Sequence, residues 1–282
     1  LMSNKKVILV TGGAGFIGSA YLNRAVPKYP AYTFVNLDAL TYAANRKNLH
    51  IERAPNYSFV KADICDTKAL RRVFEKYRPT HIIHFAAESH VDNSIKSPHV
   101  FAETNVLGTL NLLELARHFK VVRFHHISTD EVYGTIPRAV RPVSEDAPLH
   151  PRNPYSASKA AADHLVLAYH NTYGLDVVIT RSSNNYGPGQ HPEKFIPLFI
   201  TQFARGKKAP LYGNGRNIRD WLYVEDNVEG IDRVFHKGVS GEVYNLGGGN
   251  EIENHTVAKK LLALLGNRRA RIKKVKDRLG HD

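Results

Sequence analysis

The chain has 282 residues, is 43% hydrophobic, carries a formal net charge of +13 and contains one cysteine, Cys65. That is enough apolar material for one or two packed domains. A single cysteine excludes an intrachain disulfide and fits a reducing cytoplasm, and the lack of a long uninterrupted apolar run excludes a membrane-spanning helix. A basic chain suits an anionic partner, either nucleic acid or a nucleotide diphosphate. Lys259–Asp282 alone holds nine Lys/Arg against two Asp, so over half of the excess belongs to one tail. It reads as solvated surface, and no nucleic-acid face is expected.

Residues Leu1–Lys6 run directly into an apolar segment and lack the hydrophobic core of a secretory signal. Val7–Val10 is continuously apolar, as in a strand buried on both faces of a parallel sheet. It feeds Thr11-Gly-Gly-Ala-Gly-Phe-Ile-Gly18, and a helix follows to about Val26, with Pro27 as its stop. Thr33–Leu37 reads as a second strand closed by Asp38, and Tyr57–Lys61 as a third, followed by Asp63. Thr67–Tyr77 has helical spacing with Thr67 as cap and Pro79 as stop. His81–Phe85 is a fourth strand, Val100–Phe119 a long helix, Val121–Ser128 a fifth strand, Tyr155–Tyr173 a helix and Val177–Arg181 a sixth strand. This alternation predicts an α/β fold with a doubly wound, Rossmann-like parallel sheet. After about Asn184 the alternation breaks down. Helices at Phe195–Arg205, Val224–Phe235 and Thr256–Leu265 are separated by loops. The expected division is therefore residues 1–183 as a dinucleotide-binding domain carrying the catalytic groups, and 184–282 as a smaller C-terminal substrate-binding lobe.

Gly12, Gly15 and Gly18 form GxxGxxG at a strand-to-helix turn. Small residues there let the turn tighten, backbone amides approach a pyrophosphate, and helix and sheet pack closely. Asp38, at the end of the next strand, is placed to accept the ribose hydroxyls of NAD and to repel the extra phosphate of NADP. Arg46 lies nearby in sequence and would blunt that preference. Asp63 and Ile64 follow the third strand, within reach of the adenine.

Tyr155 and Lys159 stand four apart on one helix face, where an ammonium beside a phenol lowers the phenol pKa and makes the tyrosine a general base. A second Tyr-x-x-x-Lys, Tyr57 to Lys61, lies in a strand and reads as structural. Thr129, Asp130 and Glu131 end the fifth strand at the sheet's carboxyl edge, where ligands of open α/β sheets bind. Two adjacent carboxylates there raise one pKa, giving an acid beside a base. A dehydrogenase or epimerase has no use for that pair, whereas a dehydration needs both. His125-His126 on a strand face opposite ways and lack ligands at metal spacing, so no metal is expected.

Taken together, Gly12–Gly18, Asp38–Ala43, Phe85–Asp92, Thr104–Gly108, Thr129–Glu131, Tyr155 with Lys159, Asn184–Pro188, Pro192–Pro197 and Ile218–Asp226 resemble the dTDP-glucose 4,6-dehydratases of the extended short-chain dehydrogenase/reductase type. The resemblance implies dTDP-glucose as substrate, a bound and recycled NAD, and a homodimer formed through the helices at Val100–Phe119 and Tyr155–Tyr173. It adds Phe16, Ile17 and Ala86, with Tyr155 and Lys159, to the cofactor contacts. Asn184, Lys194, Pro210, Tyr212, Arg219 and Asn254 would hold nucleotide and sugar, with Arg219 as the diphosphate partner. In the implied reaction Tyr155, helped by Thr129, takes the carbon-4 hydroxyl proton while hydride passes to NAD. Glu131 removes the carbon-5 proton, Asp130 protonates the departing carbon-6 hydroxyl, and hydride returns to carbon 6.

The family continues past the stretch matched by Asp277–Asp282, where Leu279 replaces a common proline. A truncated substrate lobe is expected, lacking a further substrate-clamping arginine. The rival readings are a UDP-glucose 4,6-dehydratase, a UDP-sugar 4-epimerase, and a non-catalytic NAD-binding or nucleic-acid-binding protein.

Overall fold

The computed structural model describes residues 6–136 and 142–277. The resemblance at the C-terminal end therefore lies, apart from Asp277, outside the described residues. The apolar run forms β1 (Val7–Thr11), followed by α1 (Phe16–Lys28), β2 (Thr33–Asp38), β3 (Tyr57–Lys61), α2 (Thr67–Tyr77) and β4 (His81–His84). Pro27 lies inside α1 and does not stop it, because one missing N–H in a last turn leaves the earlier ladder intact. The cap of α2 is Asp66, not Thr67: its side chain accepts from the backbone of Lys68 and Ala69, satisfying two of the free first-turn donors.

A short α3 (Val91–Lys96) precedes α4 (Pro98–Phe101), a π-helical segment (Ala102–Gly108) and α5 (Thr109–His118). The expected single long helix is thus interrupted by a π segment. Asn105, within it, accepts from Glu88 N at 2.8 Å and donates to Glu88 O at 3.0 Å and to Ser158 Oγ at 2.8 Å. The irregular backbone is the means by which one buried amide ties the loop after β4 to the neighbouring helix. That helix is α6 (Pro154–Tyr173), which follows β5 (Arg123–Thr129) and opens with a capping box between Asn153 and Ser156.

β6 (Val177–Ser182) and β7 (Asn184–Tyr186) come next, then α7 (Phe195–Ala204), β8 (Lys208–Tyr212), β9 (Ile218–Tyr223), α8 (Val224–Lys237) and β10 (Val243–Leu246). The described chain closes with β11 (Glu251–Glu253), α9 (Asn254–Leu265) and β12 (Arg271–Val275). Seven strands form one sheet in the order β10-β6-β5-β4-β1-β2-β3, and every pair in it is parallel. One apolar layer, including Leu70, Leu112 and Val166, fills the α2, α5 and α6 side of the sheet. Another, including Tyr21, Leu22, Val228 and Ile231, fills the α1 and α8 side. The order reverses between β1 and β4, so the loops after these strands splay apart and open a crevice at the carboxyl edge. Beyond residue 183 a separate small core of Phe199, Phe203, Ala209, Leu211, Ala258 and Ala270 supports the second lobe. Yet α8 and β10 return to the main sheet. Among the described residues no helix is long and apolar enough to cross a membrane.

Candidate active site

The crevice is a cleft of about 330 Å³. Gly12, at its floor, has φ of +72°, and a Cβ there would come within 2.5 Å of Ala86 N, so only glycine lets the β1 and β4 loops meet. Gly15 caps α1 without a side-chain hydrogen bond. A Cβ built on it meets only Gly12 O, at 3.2 Å, and otherwise points into open cleft. The first-turn amides of α1 are therefore presented to an anion with no side chain in the way. Phe16, Ile17 and Gly18 line the same wall.

Asp38 accepts from Ala14 N at 2.9 Å through one oxygen and from Leu40 N at 2.8 Å through the other. Burial raises its pKa, and the two amides pull against that rise. One lone pair on each oxygen remains for a ribose hydroxyl. Arg46 donates to Glu52 at 2.8 Å and stacks on Phe59 at 4.4 Å. Its cation is already paired with a carboxylate and stacked on a ring. Asp63, Ile64 and Ala86 also line the cleft. These features fit a dinucleotide: bare helix amides for the diphosphate, a carboxylate at the second strand for the ribose, and an apolar wall for the base.

Deeper in the cleft stand Thr129, Asp130, Glu131, Tyr155 and Lys159. A 3-10 turn over Asp130–Tyr133, capped by Thr129, directs both carboxylates inward. Burial, then the neighbouring Glu131 charge, pushes Asp130 up to about 7, with Arg219 pulling it back. The Thr129 hydroxyl reaches Asp130 Oδ1 at 3.4 Å and accepts from Glu131 N at 3.3 Å.

Lys159 departs from the expectation that it would lower the tyrosine's pKa. Its Nζ donates to Ile127 O at 2.7 Å and lies 3.1 Å from His126 Nε2. Burial lowers its own pKa to about 8. Tyr155 is raised instead, first by burial and then by Glu131, with the Thr129 hydroxyl acting in the other direction. The Lys159 hydrogens are directed to the strand carbonyl and a buried imidazole, and burial dominates at the phenol.

Asn184 and Lys194 line the cleft as well, and Lys194 Nζ donates to Ser89 O at 3.0 Å. Pro210, Tyr212, Arg219 and Asn254 do not line it. Pro210 and Tyr212 lie on β8, and the Tyr212 hydroxyl donates to Asp92 at 3.3 Å. Arg219, on β9, is close enough to Asp130 to influence its charge. Asn254 opens α9 with its side-chain oxygen buried and unbonded. The cleft also recruits Glu88, Ser89, Thr104, Asn185, Gln190 and His191, which sequence reasoning did not single out. The stretches around Phe85 and Thr104 carried the signal, but their individual side chains had no pattern of their own. Among the described residues no group of three or more His, Cys, Asp or Glu side chains is arranged to hold a metal.

A glycine turn opening a helix, a carboxylate on the second strand and a Tyr-x-x-x-Lys helix beside a strand-end hydroxyl define an NAD-binding protein of the extended short-chain dehydrogenase type. The chain matches the family model described as GDP-mannose 4,6 dehydratase over residues 9–280. It is 49% identical to the dTDP-glucose 4,6-dehydratase of Haemophilus influenzae, an alignment that covers 98% of this chain and 87% of that relative. Among solved structures it is similar to DesIV, the dTDP-glucose 4,6-dehydratase of Streptomyces venezuelae with NAD and TYD bound. There the identity is 49% and the TM-score 0.93, over 98% of this chain and 86% of the other. A UDP-glucose 4-epimerase from Thermus thermophilus in complex with NAD is similar at 32% identity and TM-score 0.89, over 98% and 88%. The chain belongs to the dTDP-glucose 4,6-dehydratase family.

Proposed function

We propose that this chain converts dTDP-glucose to dTDP-4-keto-6-deoxyglucose, eliminating one water per turnover as a nucleotide-sugar lyase. The observation that carries the reading is the pairing of Asp130, held near neutrality, with Glu131 at the floor of a dinucleotide cleft. An acid and a base side by side are what elimination across carbons 5 and 6 requires. A 4-epimerase needs neither.

NAD would be held by the α1 turn and Asp38 and, when bound, would supply reversible hydride transfer between carbons 4 and 6. The chain's own groups move the protons. Tyr155 accepts the carbon-4 hydroxyl proton, and the resulting ketone acidifies carbon 5. Glu131 takes the carbon-5 proton while Asp130 protonates the carbon-6 hydroxyl as it leaves. Glu131 then returns its proton to carbon 5. Each proton transfer of this kind contributes on the order of 10²–10⁴ in rate. Lys159, one helical turn beyond Tyr155, is assigned as the cation that favours the phenolate when substrate is bound.

We assign residues 1–183 to cofactor binding and chemistry and residues 184–282 to nucleotide and sugar. Arg219 takes the diphosphate, and Asn184, Lys194, Pro210, Tyr212 and Asn254 take the remaining groups. The unbonded buried oxygen of Asn254 supports a polar ligand group there. The helices carrying the exposed Val100, Leu107 and Tyr173 are assigned to a homodimer contact. We assign the enzyme to the cytoplasm, a reducing compartment with which a single cysteine is compatible.

The test is mass spectrometry of the product after mixing the protein with dTDP-glucose or UDP-glucose, without added NAD. Loss of one water from the dTDP sugar supports both the dehydratase and a retained cofactor. Equal loss from both sugars removes the base specificity. A chain that leaves both sugars unchanged with NAD supplied overturns the reading.

A further inference from the structure

Two segments from opposite halves of the chain are tied to each other across the cleft. Residues 41–48 follow β2 in the cofactor half, and residues 189–194 follow β7 in the second lobe. Thr41, Ala43 and Ala44 line the cleft from one side, and Gln190, His191 and Lys194 from the other. Tyr42 and Glu193 stand among these residues without lining it. Their side chains turn to each other instead, and the Tyr42 hydroxyl donates to Glu193 Oε1 at 3.1 Å. The same hydroxyl accepts from Asn93 Nδ2 at 3.4 Å. The Glu193 carboxylate is flanked by His90 Nε2 and His191 Nδ1, each 3.7 Å away. A second crossing lies further along, where Asn48 Nδ2 donates to Gly189 O at 3.1 Å.

Each arm is anchored before it crosses. Asn45 N donates to Ala14 O at 2.8 Å, which ties the first arm to the glycine turn. Asn23 Nδ2, on α1, donates to Asn48 O at 2.7 Å. In the second arm Gln190 Nε2 donates to Asn185 O at 2.8 Å, and Lys194 Nζ reaches the Ser89 carbonyl at 3.0 Å. The crossings therefore join supports that are already ordered, so closing them costs little further chain entropy. The first arm also begins just beyond Asp38, the carboxylate placed for the ribose.

Resting on the dehydratase reading, we propose that the Tyr42–Glu193 and Asn48–Gly189 crossings form a strap that keeps the dinucleotide in the cleft through the whole turnover. The chemistry makes retention matter. Hydride taken from carbon 4 is given back at carbon 6, so a reduced cofactor that escaped between the two would leave the sugar oxidised. The cofactor is regenerated within each turnover, so releasing it gains nothing. Release requires the arms to part, and its rate follows the fraction of molecules in which they have parted. Tyr42 and Glu193 are positioning residues: each acts by holding arms whose other side chains line the cleft.

The experiment loads the protein with NAD, dilutes it into a glycohydrolase that destroys free NAD, and measures the cofactor still bound over time. Tyr42→Phe removes one hydroxyl from a side chain that is 48% exposed, so the fold should be untouched. NAD should leave this variant about 10-fold faster than the wild type, the low end for a lost hydrogen bond to a charged group. Glu193→Ala should match that acceleration, and the double variant should be no faster than either single one. Asn48→Ala, which breaks the other crossing, should also speed release. With NAD saturating, kcat of Tyr42→Phe should stay at the wild-type value, and without added NAD its product formation should decay as cofactor is lost. Equal release rates in the wild type and Tyr42→Phe overturn the strap, as do single effects that add in the double variant. A wild type that holds NAD tightly, loses that hold in Tyr42→Phe and dehydrates neither sugar overturns the dehydratase reading and leaves the strap standing.

Discussion

Lys159 Nζ donates to the Ile127 carbonyl at 2.7 Å and lies 3.1 Å from His126 Nε2. Helix α6 is thus pinned to β5 by its own lysine. Behind His126, Asp163 Oδ1 lies at 3.5 Å, and Asp163 pairs with Arg181 at 3.0 Å. The Lys159 ammonium is one end of a buried polar row that runs through His126 and Asp163 to Arg181, so its position is set by the core.

Lys159→Met keeps the stem's volume and removes the charge. Activity should fall at least ~100-fold. The fold should persist, because Asp163 keeps its partner Arg181. Steady-state kinetics alongside circular dichroism check both halves, and a variant of ordinary activity would contradict a catalytic role for the ammonium.

Asp163→Asn attacks the other end of the row. Arg181 would remain almost fully buried without its carboxylate, and an uncompensated buried charge costs about 3–5 kcal/mol. Urea unfolding should register a loss of that size. A cost below about 1 kcal/mol, typical of surface pairs, would mean that Arg181 is satisfied by Tyr133 and the Glu145 carbonyl alone.

On the proposed mechanism Asp130 enters the elimination protonated. Because burial and Glu131 hold it near 7, kcat/KM should decline as pH rises through about 7, where the acid form is lost. Asp130→Asn cannot donate that proton. It should lower kcat by about 10²–10⁴ while leaving oxidation at carbon 4 possible, so reduced nicotinamide absorbance should accumulate on substrate addition. A variant whose basic limb stays at the wild-type position would show that another group is the acid.

Four histidines lie in the central strands β4 and β5. Burial lowers His84 and His125 to about 3, and burial with nearby Lys6 and Arg123 lowers His81 to about 4. The unfolded chain binds protons at these sites near pH ~6.5, whereas the native state does not until far lower. Below pH ~6.5 the unfolded state holds more protons, so stability falls as pH falls. These three alone should contribute a slope of about 4 kcal/mol per pH unit once the unfolded sites are charged. Urea midpoints measured from pH 7 down to 5 should drop steeply, and a flat profile would contradict neutral burial of the rings.

Strand β1 was legible because a doubly buried strand is a short, continuous apolar run, the next five because they alternate with helical segments, and the glycine turn because its steric demand is local. Asp130 and Glu131 were readable as a pair because a strand end fixes where neighbouring side chains point. The strands of the second lobe were not: β7 and β11 have three residues each, too few to set a period, and their partners come from elsewhere in the chain. The π segment was hidden for a related reason, since its side chains still follow a helical apolar pattern while the irregularity serves Asn105. Nothing in the spacing of Tyr155 and Lys159 indicates that His126 competes for the ammonium. That contact is a product of how α6 packs on β5.

The edge strand β10 pairs with β6 along Ile179–Ser182, although more than sixty residues separate them in sequence. During synthesis β6 therefore leaves the ribosome with one edge unpaired and stays so until Leu246 has emerged. Until then the sheet presents an open row of backbone donors and acceptors to any neighbouring chain. The second lobe thus has a duty in folding: by returning one strand it covers the six-residue edge of β6 with the shorter, four-residue β10, and the cofactor half cut at residue 183 would be prone to aggregate.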